Sequence, residues 1–375
     1  MDLTAEQRAV RDVVHEFALE EIRPTASAAD AEQSFPEDVW DGLADIDLTG
    51  LTVPTEYGGY DADRITYSVV NEELAYGALS VATALSVHAL ATSCIAEFGN
   101  EDQKERWLTE MVDGRPVGAF ALSEPEAGSN PAEMSTVARR EGDEYVIDGE
   151  KQWITNGKRS GVVILFAKTD PADPRSITQF VVPKDTDGLQ VGKKEDKLGL
   201  RASDTTGLSF DGARISAENR LTEEGKGLSA AFRILTGGRI GIASQAVGLA
   251  QAALDEALAY AGEREQFGQP IGEFQSIRHK LAEMATRTEA SRLLAREAAR
   301  RDDAGDPHEK FASMAKYFAS ETATFAASEA VQIHGGYGYV KDYDVERLYR
   351  DAKVTEIYEG TTEIQKKVIA RNLLD

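Results

Sequence analysis

The chain has 375 residues, with 65 Asp or Glu against 41 Lys or Arg, for a formal net charge of −24. That sign argues against nucleic acid and anionic membrane as partners. Hydrophobic residues make up 42% and cysteine occurs once, so a large core of two or three domains is expected, without an internal disulfide or cysteine-based metal cluster. Cys94 reads as a small core residue. The acid is spread along the chain, as on a solvated surface suited to high salt, and a salt-adapted host is expected. The acidic start Met1-Asp2-Leu3-Thr4 lacks the layout of a signal peptide. No apolar run reaches the roughly 18 residues that span a bilayer. A cytoplasmic location follows as the expectation.

Residues 1–112 read as helical. Thr4-Ala5-Glu6-Gln7 has capping-box spacing, and Val10, Val13, Val14 and Phe17 follow at helical intervals. Ser68–Phe98 is rich in Ala, Leu and Glu, while Pro36 and Gly58-Gly59 mark loops. Residues 113–223 change character. Tyr145-Val146-Ile147 and Gln152-Trp153-Ile154 flank Asp148-Gly149, a hairpin signal. Val162–Phe166 and Gln179–Val182 are strand candidates, and Leu208-Ser209-Phe210 ends in Asp211-Gly212. Short strands between turns predict an antiparallel barrel or sandwich. From residue 224 the pattern is helical again, with Ile240–Ala261 and Ile277–Asp302 the longest runs. Near the C-terminus, Thr362 and Gln365 have capping-box spacing before Ile364, Val368 and Ile369.

Several chemistries lack their motifs. There is no G-x-G-x-x-G after a strand, no Walker A loop, no H-E-x-x-H or C-x-x-C, and no G-x-S-x-G. The five histidines, 15, 88, 279, 308 and 334, are scattered. Five constellations carry possible chemistry. Phe120-Ala121-Leu122-Ser123-Glu124-Pro125-Glu126-Ala127-Gly128-Ser129-Asn130 is a loop whose backbone donors suit a pyrophosphate or a heterocycle edge, or form a plain turn. Trp153-Ile154-Thr155 can shield a planar group and hydrogen-bond its edge, although a Trp in a β core is the commoner setting. Arg264 before Phe267-Gly268, with Gln275, suits a phosphate or simply ends a helix. Gln332-Ile333-His334-Gly335-Gly336 admits a ligand close to the backbone and also fits a helix C-cap. In Tyr358-Glu359-Gly360-Thr361, one carboxylate is walled by an aromatic before a helix start. Partial burial there would raise its pKa toward working pH.

In this order, the Ser123-Glu124-Pro125 loop, Trp153-Ile154-Thr155, Arg264-x-x-Phe267-Gly268, Gln332-Ile333-x-Gly335-Gly336 and Tyr358-Glu359-Gly360-Thr361 resemble the acyl-CoA dehydrogenase family. The likeness runs over nearly the whole chain and is closest to short-chain, butyryl-CoA-like members. It implies an α+β multidomain fold: an N-terminal helical domain (1–112), a middle antiparallel β domain (113–223) and a C-terminal four-helix bundle (224–375). FAD would lie between the last two. The resemblance assigns Phe120, Leu122, Ser123, Gly128 and Ser129 to the flavin and its pyrophosphate, and Trp153, Ile154 and Thr155 to the isoalloxazine. Arg264, Phe267, Gln275, Gln332, Ile333, His334, Gly335 and Gly336 would hold the adenosine diphosphate half from a neighbouring subunit. Thr361 and Glu363 would close the site.

The resemblance makes Glu359 the base that takes the α-proton while the β-hydride passes to the flavin, with electrons going on to electron-transfer flavoprotein. Tyr358, Gly360, Arg239 and Ser129 would contact the acyl-CoA. Some branches carry the base just before the arginine matching Arg239. Here that residue is Gly238, so Glu359 stands alone. Thr236 replaces the acidic residue many members have, which puts its CoA contact in doubt. A homotetramer built as a dimer of dimers is the family habit, and no metal is expected. Branched, aryl or dicarboxylic acyl-CoA is the alternative substrate, the last wanting a cation that the sequence does not place. A non-catalytic acyl-CoA-binding scaffold is the alternative of another class.

Overall fold

The protein is described by a computed structural model over residues 3–374. Helix α1 (Ala5–Phe17) starts where Thr4 and Gln7 accept hydrogen bonds from each other's backbone N–H groups. It runs through a wider turn at Ala18–Ile22 into α2 (Arg23–Glu32), and α3 (Glu37–Asp45) follows Pro36. Helix α4 (Arg64–Gly77) is capped by the Asp63 carboxylate, which accepts from the Thr66 N–H at 2.6 Å. Extended Ala78, with φ −158°, separates it from α5 (Leu79–Phe98). The Ser68–Phe98 run is therefore two helices. A second capping box, Asn100 with Gln103, opens α6 (Glu101–Met111).

Helix α5 corrects one expectation: by length and composition it is apolar enough to cross a membrane. Its most apolar window is 83% buried inside the protein. A helix apolar on all sides is the helix a core surrounds, and α5 is that helix.

The middle region holds β1 (Gly118–Ala121), β2 (Val137–Glu141), β3 (Glu144–Thr155), β4 (Val162–Lys168), β5 (Ile177–Pro183), β6 (Leu189–Lys194) and β7 (Thr205–Ser216). They form one seven-stranded sheet in the order β1-β4-β2-β3-β7-β6, with β5 also on β4. The sheet is mixed, since β1 and β2 both run parallel to β4. The antiparallel expectation fails at β4, whose residues Val162–Ala167 are all buried and which recruits partners from distant parts of the chain. Asp148-Gly149 does not make a hairpin. It lies inside β3 at a register shift against β7, and a Cβ on Gly149 would meet Thr136 Oγ1 at 2.5 Å. Asp211-Gly212 is likewise inside β7. The actual tight turn is Gly142-Asp143, between paired Glu141 and Glu144.

Helix α7 (Gly227–Glu263) leads through the short hairpin β8 (Glu265–Gln266) and β9 (Gln269–Pro270) into α8 (Gln275–Asp303) and α9 (Glu309–His334). Two shorter helices, α10 (Val345–Ala352) and α11 (Thr362–Leu374), pack on α9. Helix α7 also packs on α4 and α5, so one apolar core runs from Val14 to Ala352 through both helical regions. The contact with α4 uses a stripe of small residues on α7. A Cβ on Gly248 would lie 2.0 Å from the Glu72 carbonyl oxygen, one on Gly241 2.7 Å from the Tyr67 hydroxyl, and Ser244 Oγ meets Ser68 Oγ at 2.6 Å. At this crossing buried Glu72 receives Arg292 Nε at 2.7 Å and Arg296 Nη2 at 2.8 Å from α8.

Removing the anion of that cluster leaves the buried Arg296 guanidinium without a carboxylate, while Arg292 keeps Glu289. Glu72→Ala is expected to lower stability by about 3–5 kcal/mol, read as a drop in the urea midpoint with the fold otherwise retained. A change under about 1 kcal/mol would show the cluster to be peripheral.

Candidate active site

Glu359 sits where the chain leaves a short turn at Lys353–Glu356 and enters α11. Its backbone is left-handed, with φ 50°, and Gly360 follows at φ 96°. A non-glycine residue in that region costs about 1–3 kcal/mol unless its surroundings hold it there. Two side chains do. Lys316 Nζ donates to the Gly360 carbonyl at 2.8 Å and Gln365 Nε2 donates to the same oxygen at 2.9 Å. The expected Thr362–Gln365 capping box is not formed. Thr361 Oγ1 accepts from the Ile364 N–H at 3.4 Å instead, which frees the Gln365 amide to fasten the Glu359–Gly360 junction.

Glu359 as a whole is half-buried, but its Oε2 is sealed from solvent and has no hydrogen-bond partner. Gly238 on α7 explains how it fits: a Cβ there would lie 2.4 Å from that oxygen. Two buried cations face the carboxyl without bonding to it, Lys316 from α9 and Arg239 from α7. Burial pushes the Glu359 pKa up from 4.5 to about 7, opposed by Lys316 and then Arg239. Burial likewise pushes the Lys316 ammonium down to about 8, with Glu359 holding it up. Arg239 is displaced downward by its own burial, and its Nε and Nη1 lack partners. Tyr358, beside Glu359, donates to Gln245 Oε1 at 3.2 Å, and Gln245 donates in turn to Asn71 Oδ1 at 2.8 Å.

A cavity of about 1320 Å³ reaches Gly238 and Leu90 and opens past Tyr67 and Ile234 to a charged mouth. Thr236 lines it, but its hydroxyl is turned back onto the Phe232 carbonyl at 2.9 Å. Arg64 also lines it, although nothing in the sequence singled it out. Its guanidinium lies 3.1 Å from where a Gly237 Cβ would be, and its Nε donates to Asp302 at 2.8 Å.

The flavin-type elements form two clusters. In the first, the 122–130 loop after β1 meets β3: Gln152 N–H donates to the Ser123 carbonyl at 2.9 Å. Beneath it lies a fully buried ion pair, Lys151 Nζ to Glu124 Oε1 at 2.8 Å. Burial favours neutral Glu124, yet Lys151 and the Ser135 and Thr136 donors hold its pKa at about 2. Lys151 was missed in the sequence, where a lysine in a strand reads as a solvated face. Trp153 stands above, 61% exposed and left-handed at φ 62° beside a register shift. Thr155 is half-buried, and Gly128 and Ser129 are exposed. Phe120 and Leu122 pack partly into the core, and Ile154 is 1% exposed within the β core, so its side chain is not available to a ligand.

The second cluster lies past the C-terminal end of α7. Arg264 is stacked 5.6 Å over Tyr337, Phe267 is 93% exposed, and Gln275 and Gln332 are exposed. Gly335 and Gly336 have open space where a Cβ would be. Ile333 is buried and His334 is stacked on Tyr260 at 4.1 Å, so these two could offer only backbone. Arg264 is 26 residues beyond Gly238, about 39 Å along a helix. Arg264 therefore lies most of the length of α7 away from the point where Glu359 meets it. Glu363 is exposed. Among the described residues no group of three or more His, Cys, Asp or Glu could hold a metal.

Family models for the N-terminal, middle and C-terminal domains of acyl-CoA dehydrogenase match residues 4–115, 119–213 and 225–374. The chain belongs to the acyl-CoA dehydrogenase family. Relatives of this acyl-CoA dehydrogenase include the mitochondrial short-chain specific acyl-CoA dehydrogenase of Rattus norvegicus, 44% identical over 100% of this chain and 91% of that one. Another is acryloyl-CoA reductase (NADH) of Anaerotignum propionicum, 42% identical over 99% and 95%. Butyryl-CoA dehydrogenase of Megasphaera elsdenii superposes with a TM-score of 0.97 at 41% identity, covering both chains fully. A chain from a structure described as the electron transferring flavoprotein of Acidaminococcus fermentans gives 0.98 at 39%, over 100% and 99%.

Members of the acyl-CoA dehydrogenase family bind FAD, one having been solved with FADH2. The residues here fit that group. An indole more than half exposed follows Gln152, which bonds a loop fastened by a buried ion pair, and the second cluster offers a Phe267 ring 93% exposed and open glycines.

Gly238 is the contact that a single methyl would disturb. Gly238→Ala is expected to fold, since the obstructing atom ends a flexible side chain, and to lose about 100-fold in kcat from the displaced carboxyl. Saturating turnover and thermal unfolding together check this. Wild-type turnover would show that the contact is slack.

Proposed function

We propose that this acyl-CoA dehydrogenase converts short-chain acyl-CoA thioesters to trans-2-enoyl-CoA, with Glu359 as the base that removes the α-proton. The observation that carries the reading is the Glu359 carboxyl: sealed, unbonded at Oε2 and shifted to a pKa of about 7. A base matched to neutral pH both ionises enough to act and holds the proton it takes. Lys316 and Arg239 keep the ionised form accessible in a dry site, and Gly238 gives it room beside the cavity. The Glu359 backbone N–H and the Tyr358 ring bound the place where the thioester would lie, the N–H suited to an oxygen gaining enolate charge.

Bound FAD would supply the acceptor for the β-hydrogen as hydride. Trp153, Thr155, Ser123 and the Gly128-Ser129 turn would hold its flavin half. Arg264, Phe267, Gln275, Gln332 and the Gly335-Gly336 backbone would hold the other half from a second copy of the chain. The separation along α7 supports that sharing, and so does the exposure of Phe267, Tyr339 and Leu258 on the C-terminal helical region. We take the assembly to be a homotetramer and the onward electron acceptor to be an electron-transfer flavoprotein. Likeness to a chain from a structure so described supports the latter. The net charge of −24 supports a salt-adapted enzyme.

A dicarboxylic substrate draws support from Arg64, a cation on the cavity wall. Asp302 already engages it at 2.8 Å, which favours the uncharged acyl group.

Two outcomes test the base. Glu359→Gln is expected to bind FAD normally and to lose at least about 1000-fold in kcat. In the wild type, kcat/KM should fall tenfold per pH unit below about 7. A variant keeping a tenth of the activity would overturn the assignment.

A further inference from the structure

Lys316 meets Glu359 in two ways, through the backbone of Gly360 and through its charge. Lys316 is fully buried in α9, among Ala312, Ala315, Ala319 and Ser320. A lysine seldom enters a core unless something there requires its charge or its three donors. Among the described residues its ammonium makes one hydrogen bond, to the Gly360 carbonyl at 2.8 Å. That carbonyl belongs to the left-handed pair Glu359-Gly360, and Gln365 is its other donor. We infer that Lys316 is a positioning residue for Glu359: it fastens the left-handed junction through the Gly360 carbonyl and sets its charge beside, but not on, the unbonded carboxyl.

The inference rests on Glu359 being the base. Its physical content lies in what Lys316 does not do. A lysine bonded directly to the carboxylate would hold it ionised and weaken it as a proton acceptor. A lysine bonded one residue further on contributes a field and a fixed backbone, and leaves the carboxylate oxygen free to take a proton. Arg239 adds a second field from α7, also without a bond to the carboxyl. The groups around the pair come from every neighbouring element. Glu359 is faced by Lys316, Arg239, Tyr67 from α4 and Tyr358. Lys316 is faced in addition by Glu356 and Glu363. Of the two cations, Lys316 acts more strongly on Glu359.

The charge and the tether separate by substitution. Lys316→Met removes both, Lys316→Gln keeps a donor for the Gly360 carbonyl, and Lys316→Arg keeps the charge. The test is the pH profile of kcat/KM and of saturating kcat in the FAD-loaded enzyme, with thermal unfolding of each variant. Lys316→Met is expected to move the acid limb upward by about one pH unit and to lower kcat even on the alkaline plateau. Lys316→Gln should move the limb equally but keep more of the plateau, and Lys316→Arg should leave the limb in place. If Lys316→Met proves unstable, Lys316→Gln reads the same limb. A limb unmoved in both uncharged variants overturns the inference, as does an equal shift in Lys316→Arg. An inactive Glu359→Gln with an unmoved Lys316→Met limb would sink the role of Lys316 alone, whereas an active Glu359→Gln would sink the base assignment beneath it.

Discussion

The Glu359 carboxyl lies against the bare Cα of Gly238, and the site is arranged around that contact. A side chain at position 238 would occupy the space 2.4 Å from Oε2 and push the carboxyl off α7. With no side chain there, the oxygen sits sealed between helices beside a cavity. Sealing raises its proton affinity, and two cations held at a distance bring the value back to about 7. The same glycine means that position 238 offers no carboxylate of its own. The feature that excludes a rival base is the one that admits Glu359.

Helix α7 is the element on which these demands converge. On its α4-facing side a stripe of Gly241, Ser244 and Gly248 lets the two helices approach closely, and the Glu72–Arg292–Arg296 cluster locks the crossing. One turn before Gly241, Gly238 receives the Glu359 carboxyl, and Arg239 turns its guanidinium into the same buried space. The N-terminal and C-terminal helical regions therefore share one core, and the cavity opens at their seam. At its far end α7 is capped by Arg264, about 39 Å along the helix from Gly238, with exposed Phe267 in the hairpin just beyond. The seat of the Glu359 carboxyl, part of the cavity wall and Arg264 are thus placed along one rod.

Much of this was legible in the sequence. Local signals such as the Thr4–Gln7 capping box and the long helices of the C-terminal half correspond to observed elements, as the order helices, strands, helices does. Local signals misled where long-range contact decides. Asp148-Gly149 has hairpin composition, yet it serves as a bulge because Thr136 crowds the glycine. Parallel pairing on β4 leaves no turn signature. The buried charges were hidden for the same reason. Lys151 finds Glu124 27 residues away, Lys316 finds Gly360 44 away, and Arg64 finds Asp302 238 away. In the sequence each looks like a solvated surface charge. Ile154, Ile333 and His334 show the converse: they belong to motifs of the flavin type, but their side chains belong to the core.

On the proposed reading, the fold makes Glu359 a proton acceptor tuned to neutral pH before any substrate arrives. Isotope-edited infrared titration of the resting enzyme, with the Glu359→Gln protein subtracted, reads that single carboxyl directly. A carboxylate band that grows in with a midpoint near 7 is expected. A midpoint at the ordinary 4.5 would contradict it.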